Sequence, residues 1–195
     1  MNISSVLPKR DLISVIELID DLSRCASEDA AAALLTRVRD LLGAEFAVCG
    51  TGRVYENGKM DIETILDSGY PSEWLNLYFR EGLYRYDPVM RHHMQFSAPA
   101  FWSEIRQKTN DERSLAVTEW AAAYGLRYGL SSSVYLPGTG MFSLFCFASS
   151  EDVFTERHKE LLGALTLHLN MAITGDRRPE IPLQPATISR RRVVQ

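Results

Sequence analysis

Cysteine is scarce in this chain, and the little there is follows no pattern. Cys25, Cys49 and Cys146 are an odd number, with no C-x-x-C pair and no metal-like spacing. A disulfide framework is not expected, and a reducing cytoplasm is the simpler setting. Long apolar runs are missing too. None approaches the roughly 18 residues that a membrane helix needs. Asp11, Glu17, Asp20 and Asp21 break up the N-terminal apolar positions too often for a signal peptide.

Catalytic sets are equally sparse. Of four histidines, His92 and His93 are adjacent on an expected helix and point apart, unlike the i,i+4 pair of a zinc-binding helix. No G-x-S-x-G elbow occurs. Gly50-Thr51-Gly52 and Gly138-Thr139-Gly140 lack the lysine of a phosphate loop and read as turns. Cys146 sits in the apolar run 142–147, where a thiol is more often a small hydrophobe than a nucleophile. No enzyme, cofactor or metal site is expected.

What is present suits a soluble globular protein, with 46% hydrophobic and 24% charged residues in a chain long enough for one domain. The net charge of −4 is uneven. Residues 177–195 hold Arg177, Arg178, Arg190, Arg191 and Arg192 against Glu180, a local +4 that leaves −8 on the rest. Duplex affinity comes largely from phosphate neutralisation, so only this tail is equipped to meet DNA.

Residues 10–24 and 28–42 carry apolar positions at helical spacing, the second after a plausible N-cap at Ser27 and before a stop at Gly43. Strands are expected at 45–54 and 60–66, joined through the hairpin signal Glu56-Asn57-Gly58. Pro71 and Asp87-Pro88 each open a helix, and residues 110–124 form another. A second hairpin, 129–136 and 141–149, turns through Pro137-Gly138-Thr139-Gly140 and precedes a last helix over 155–174. Hairpins rather than β-α-β crossovers imply an α+β layer fold with an antiparallel sheet. The domain spans 1–175. Pro179, Pro182 and Pro185 recur every third residue beyond it, marking 176–195 as a linker or extended tail.

One stretch is distinctive. Tyr70-Pro71-x-x-Trp74-x-x-x-Tyr78 is followed by Asp87-Pro88-Val89 and then by Trp102. The aromatics taken singly are ordinary core volume, and Asp87 suits a helix cap. Taken together, an indole N–H, a phenol O–H and a carboxylate beside aromatic walls suit a small-molecule site for an uncharged head with carbonyls and an N–H.

With Gly125 and Gly129 added, the pattern resembles the autoinducer-binding domain of LuxR-family quorum-sensing regulators over roughly residues 10–175. The resemblance implies an α/β/α sandwich with helices on both faces of the sheet, dimerisation, and an N-acyl-homoserine lactone in a cavity between the sheet and one helical layer. Trp74 would donate to the lactone carbonyl, Asp87 would accept the amide N–H, and Tyr70 would donate to the amide carbonyl. Tyr78, Phe79, Val89 and Trp102 would form walls, and Gly129 a tight spot where a strand passes close to its neighbours. Where the family often has a hydroxyl, this chain has Cys146, a weak donor, with Ser143 as a substitute three residues earlier. Ser131, Ser132 and Ser133 add polarity near the cavity. The family normally continues into a helix-turn-helix domain, of which 185–192 resembles only the approach. The partners implied are the acylated signal and a second copy or a full-length LuxR-type regulator, with neither membrane nor direct DNA contact. The alternative is a small-molecule or protein-partner sensor that takes no lactone.

Overall fold

The computed structural model describes residues 7–55, 59–136 and 138–175. The turn at Glu56-Asn57-Gly58, Pro137 and the tail at 176–195 lie outside the described residues.

Helix α1 (Lys9–Ser23) buries Val15, Leu18 and Leu22, a three-and-four spacing that makes one apolar stripe. Helix α2 (Glu28–Leu41) starts where Ser27 accepts a hydrogen bond from the Ala30 N–H at 3.2 Å, and it buries Leu34, Leu35 and Val38. Strands β1 (Phe46–Val54) and β2 (Met60–Ser68) form the first hairpin. Four short helices follow: α3 (Ser72–Arg80), α4 (Pro88–His93), α5 (Trp102–Gln107) and α6 (Glu112–Ala123), with a two-residue strand β3 (Ala100–Phe101) before α5. Strands β4 (Tyr128–Leu136) and β5 (Met141–Ser149) make the second hairpin, and α7 (Glu156–Thr174) closes the domain.

The five strands form one sheet in the order β2-β1-β5-β4-β3, with every neighbouring pair antiparallel. Helices lie on both faces, so the chain is the α/β/α sandwich expected. The expected elements all form, within two residues at most ends. Strand β3, helix α5 and a 3-10 turn at Leu83–Arg85 are additions. At two, six and three residues they are too short to show a period.

Side chains alternate across a strand, and β5 shows what this does. Phe145 and Phe147 are fully buried with Leu130, Ala47 and Cys49 against α1, α2 and α7. Phe142, Leu144, Cys146 and Ala148 face the short helices. On the first face Leu161, Leu162, Leu165 and Leu169 of α7 have no exposure at all. Buried Asp11 of α1 binds Arg157 of α7 through both carboxylate oxygens, which ties the two helices together. The guanidinium holds the Asp11 carboxyl below its ordinary range, against the upward push of burial.

A bulge interrupts the β1–β2 ladder between Thr51 and Gly52, where Glu63 has no partner. It puts Ile62 and Ile65, three residues apart, on one face. Gly52 permits it, because a Cβ there would stand 2.3 Å from the Asp61 carbonyl oxygen.

Candidate functional site

Between the sheet and the short helices lies a cavity of about 630 Å³, inside the range of about 300–1,000 Å³ that small-molecule sites occupy. It follows β5. At one end Phe142 and Leu144 meet Met60, Ile62 and Ile65, an apolar chamber. Around Cys146 the wall turns polar, with Tyr70, Trp74 and Asp87. Val117, Ala121 and Leu126, with Arg127 and Asp152, also line the cavity.

The polar level is built by α3 and the start of α4. Pro71 ends the extended segment holding Tyr70, and α3 then turns Trp74 and Tyr78 inward while Glu73 and Arg80 stay in solvent. Asp87 does two things. One carboxylate oxygen accepts from the Val89 N–H at 2.8 Å and caps α4, and the other accepts from the Tyr78 hydroxyl at 2.7 Å. Burial pushes the Asp87 carboxyl upward, while the Tyr78 hydroxyl and the amides of Val89 and Met90 pull it back. Burial first, and then the nearby Asp87, raise the Tyr78 phenol well above its ordinary value. Burial likewise raises the Tyr70 phenol and the Cys146 thiol, so both are uncharged donors at neutral pH.

Two donors are left over. The Trp74 indole N–H and the Tyr70 hydroxyl find no acceptor among the described residues, though Trp74 is only 4% exposed. Trp74 is packed between Tyr78 and Tyr124, with ring centroids 5.7 and 5.6 Å away. An N–H held rigidly, open to the cavity and without a protein partner, is a place for a ligand acceptor.

Trp102 owes its place to a glycine. A Cβ at Gly129 would come within 2.2 Å of the Trp102 ring, so the indole lies directly against β4. The tight spot expected at Gly129 therefore exists, but it is filled by an indole rather than a neighbouring strand. Trp102 donates its N–H to Ser131 Oγ at 3.2 Å.

Nine of the ten residues singled out from the sequence line the cavity: Tyr70, Trp74, Tyr78, Phe79, Asp87, Val89, Trp102, Gly129 and Cys146. Ser143 does not. Three residues is an odd step on a strand, so Ser143 points to the opposite face from Cys146 and cannot replace its thiol. The serines after Gly129 are also not cavity wall. Ser131 and Ser133 are bound to His93, and Ser132 shares a 2.8 Å hydrogen bond with Thr166 of α7. Sequence reading missed Leu144 and Phe142, which a period-two count back from Cys146 would have found. It also missed Ile62 and Ile65, which depend on a bulge that leaves no sequence signal.

A family model described as the autoinducer binding domain matches residues 27–173. The chain belongs to that family. Among curated relatives of this LuxR-type domain, the transcriptional activator protein VanR of Vibrio anguillarum is 25% identical over 140 residues, 72% of this chain. The match spans 56% of VanR, so the chain corresponds to about half of that relative. Among solved structures, the N-acylhomoserine lactone dependent LuxR-family factor CepR2 of Burkholderia cenocepacia superposes with a TM-score of 0.65 at 22% identity, covering 85% of this chain and 94% of CepR2. Escherichia coli SdiA, in complex with octanoyl-rac-glycerol, gives a TM-score of 0.68 at 14% identity, covering 86% and 68%. At these identities the two structures show the shared fold. Among the described residues, no helix is long and apolar enough to cross a membrane.

Proposed function

We propose that this autoinducer-binding domain is a non-catalytic receptor for an N-acyl-homoserine lactone and serves quorum sensing in transcription regulation. The observation that carries the reading is the pair of unused donors, Trp74 N–H and Tyr70 O–H, beside the Asp87 carboxylate in a mostly apolar cavity. Trp74 donates to the lactone carbonyl, Tyr70 donates to the amide carbonyl, and Asp87 accepts the amide N–H. Asp87 can serve both Tyr78 and the ligand, since each carboxylate oxygen offers two lone pairs. Tyr78 thus acts by holding Asp87, while Phe79, Val89 and Trp102 are wall.

Energetics favour this division. A buried lactone-amide head without partners costs a few kcal/mol, roughly 2–7. Each acyl methylene buried against Leu144, Phe142 and Ile62 contributes about 0.8 kcal/mol. Occupancy would reach transcription through pairing with a second copy or with a LuxR-type regulator in the cytoplasm. Exposed apolar side chains on the outer helical layer, Ile16 of α1 with Leu167 and Met171 of α7, support such association.

The test is thermal stabilisation of the purified protein by lactones from short to long acyl chains. At least one is expected to raise Tm in a dose-dependent way, and Trp74→Phe to weaken it about tenfold, the worth of one neutral hydrogen bond. Indifference to every chain length would overturn the lactone reading. Octanoyl-rac-glycerol belongs in the same panel, because Cys146 is a weak donor and a head with hydroxyls is the second reading. Stabilisation by the glycerol ester alone would select it.

A further inference from the structure

His93 is fully buried at the end of α4 and does not line the cavity, and both of its ring nitrogens are engaged. Its Nδ1 lies 2.9 Å from the Phe96 carbonyl oxygen and its Nε2 lies 2.8 Å from Ser131 Oγ. A carbonyl only accepts, so Nδ1 carries the proton and Nε2 is bare. Ser131 must then donate to His93, which leaves its oxygen to accept from Trp102. The chain of donors has one direction throughout: Trp102 indole to Ser131, Ser131 to His93, His93 to the Phe96 carbonyl. Ser133 adds a 3.0 Å hydrogen bond to the His93 carbonyl oxygen. Burial holds the imidazole pKa down to about 4, which keeps Nε2 an acceptor at neutral pH.

The far end of this chain is a cavity wall. Trp102 packs against both apolar groups of the cavity side, one with Trp74, Tyr78 and Ala148, the other with Val89, Leu144 and Cys146. The indole therefore stands where these two groups meet. Gly129 removes any side chain that would keep the ring off the strand, but an absent Cβ does not hold a ring in place. The hydrogen bond to Ser131, two residues along the same strand, does.

We propose that His93 is a positioning residue of the receptor site: through Ser131 it pins the Trp102 indole flat on Gly129 and so fixes the cavity width where a ligand's head joins its chain. The link to ligand choice rests on the receptor reading above. The latch makes the site selective for slim, unbranched acyl groups. Asp87 caps α4 and His93 ends it, so one short helix sets both the polar acceptor and the place of the indole.

Ser131→Ala removes both hydrogen bonds at almost no change in volume. The Trp102 indole N–H resonance of the ligand-free protein, assigned by its loss in Trp102→Phe, is expected to shift toward the free-indole position in Ser131→Ala. It should move the same way, by less, in His93→Leu, and return in Ser131→Thr. Affinity for a branched or aromatic acyl lactone relative to a straight-chain one is expected to rise at least tenfold in Ser131→Ala. A general loss of packing would lower both affinities together and leave that ratio alone. An unmoved indole resonance in Ser131→Ala, or an unmoved ratio, overturns the latch. If the wild-type protein binds no lactone, the receptor reading fails, and the resonance alone then decides whether His93 and Ser131 pin the ring.

Discussion

One sheet in this protein faces two kinds of cover. Helices α1, α2 and α7 run for 15, 14 and 19 residues and tile one face of the sheet with leucine. On the other face α3, α4, α5 and α6 run for 9, 6, 6 and 12 residues, each shorter than any helix of the first face. The cavity lies between these helices and the sheet. Polar groups divide in the same way. On the closed face Asp11 with Arg157 and Ser132 with Thr166 satisfy each other. On the open face Trp74 and Tyr70 keep donors that nothing in the described chain accepts. A receptor needs both halves, since the closed face supplies the stability that lets the open one remain unfilled.

The contrast predicts that the same kind of truncation costs different amounts on the two faces of β5. Phe147→Ala leaves a sealed void and should lower unfolding free energy by about 3–5 kcal/mol. Leu144→Ala only enlarges a space that exists, and its cost should stay below the 2 kcal/mol at which sealed Leu→Ala sites begin, roughly. Urea titration of the two variants measures both, and equal losses would erase the distinction.

Acid sharpens the same comparison through the His93 side. Its pKa is near 6.5 unfolded and about 4 folded, so between these values the unfolded chain binds the extra proton. Stability from this group is whole above pH 6.5 and is lost as pH falls toward 4, by an amount of order 3 kcal/mol. His92 and His158 are shifted in the same direction by burial, so the informative quantity is the difference between wild type and His93→Leu. A steeper decline in the wild type, followed by equilibrium unfolding at stepped pH, is the expected result.

Asp87→Asn is the smallest of these perturbations to the fold and the most selective for the site. Burial already disfavours the Asp87 charge, and an amide oxygen still caps α4, so stability should change by less than about 1 kcal/mol. Ligand affinity should fall by about 1.5–3 kcal/mol, the worth of a hydrogen bond to a charged group. Calorimetric titration against chemical unfolding separates the two, and a variant that lost stability while keeping affinity would make Asp87 a cap and nothing more.

Much of this is legible in the sequence. Apolar spacing announced α1, α2 and α7, because a long stripe repeats often enough to be read. Asp87 was open between helix cap and ligand acceptor, and the structure places it where one oxygen caps while the carboxylate still lines the cavity. Tyr78 looked like wall and, besides lining the cavity, holds Asp87, a contact nine residues away in sequence that no local pattern reports. The offer of Ser143 for Cys146 failed on strand parity, a rule available from sequence alone once the strand was recognised.

The chain's own pattern determined its layers, its hairpins and the aromatic and acidic residues of the site, since these follow from local periodicity and turn chemistry. Only the tertiary structure decided which of those groups would be spent on each other. Hydrogen bonds between Tyr78 and Asp87, and among Trp102, Ser131 and His93, depend on separate elements arriving within about 3 Å, a distance that sequence separation does not encode. What remained unspent, the donors of Trp74 and Tyr70, is what gives the cavity its chemistry.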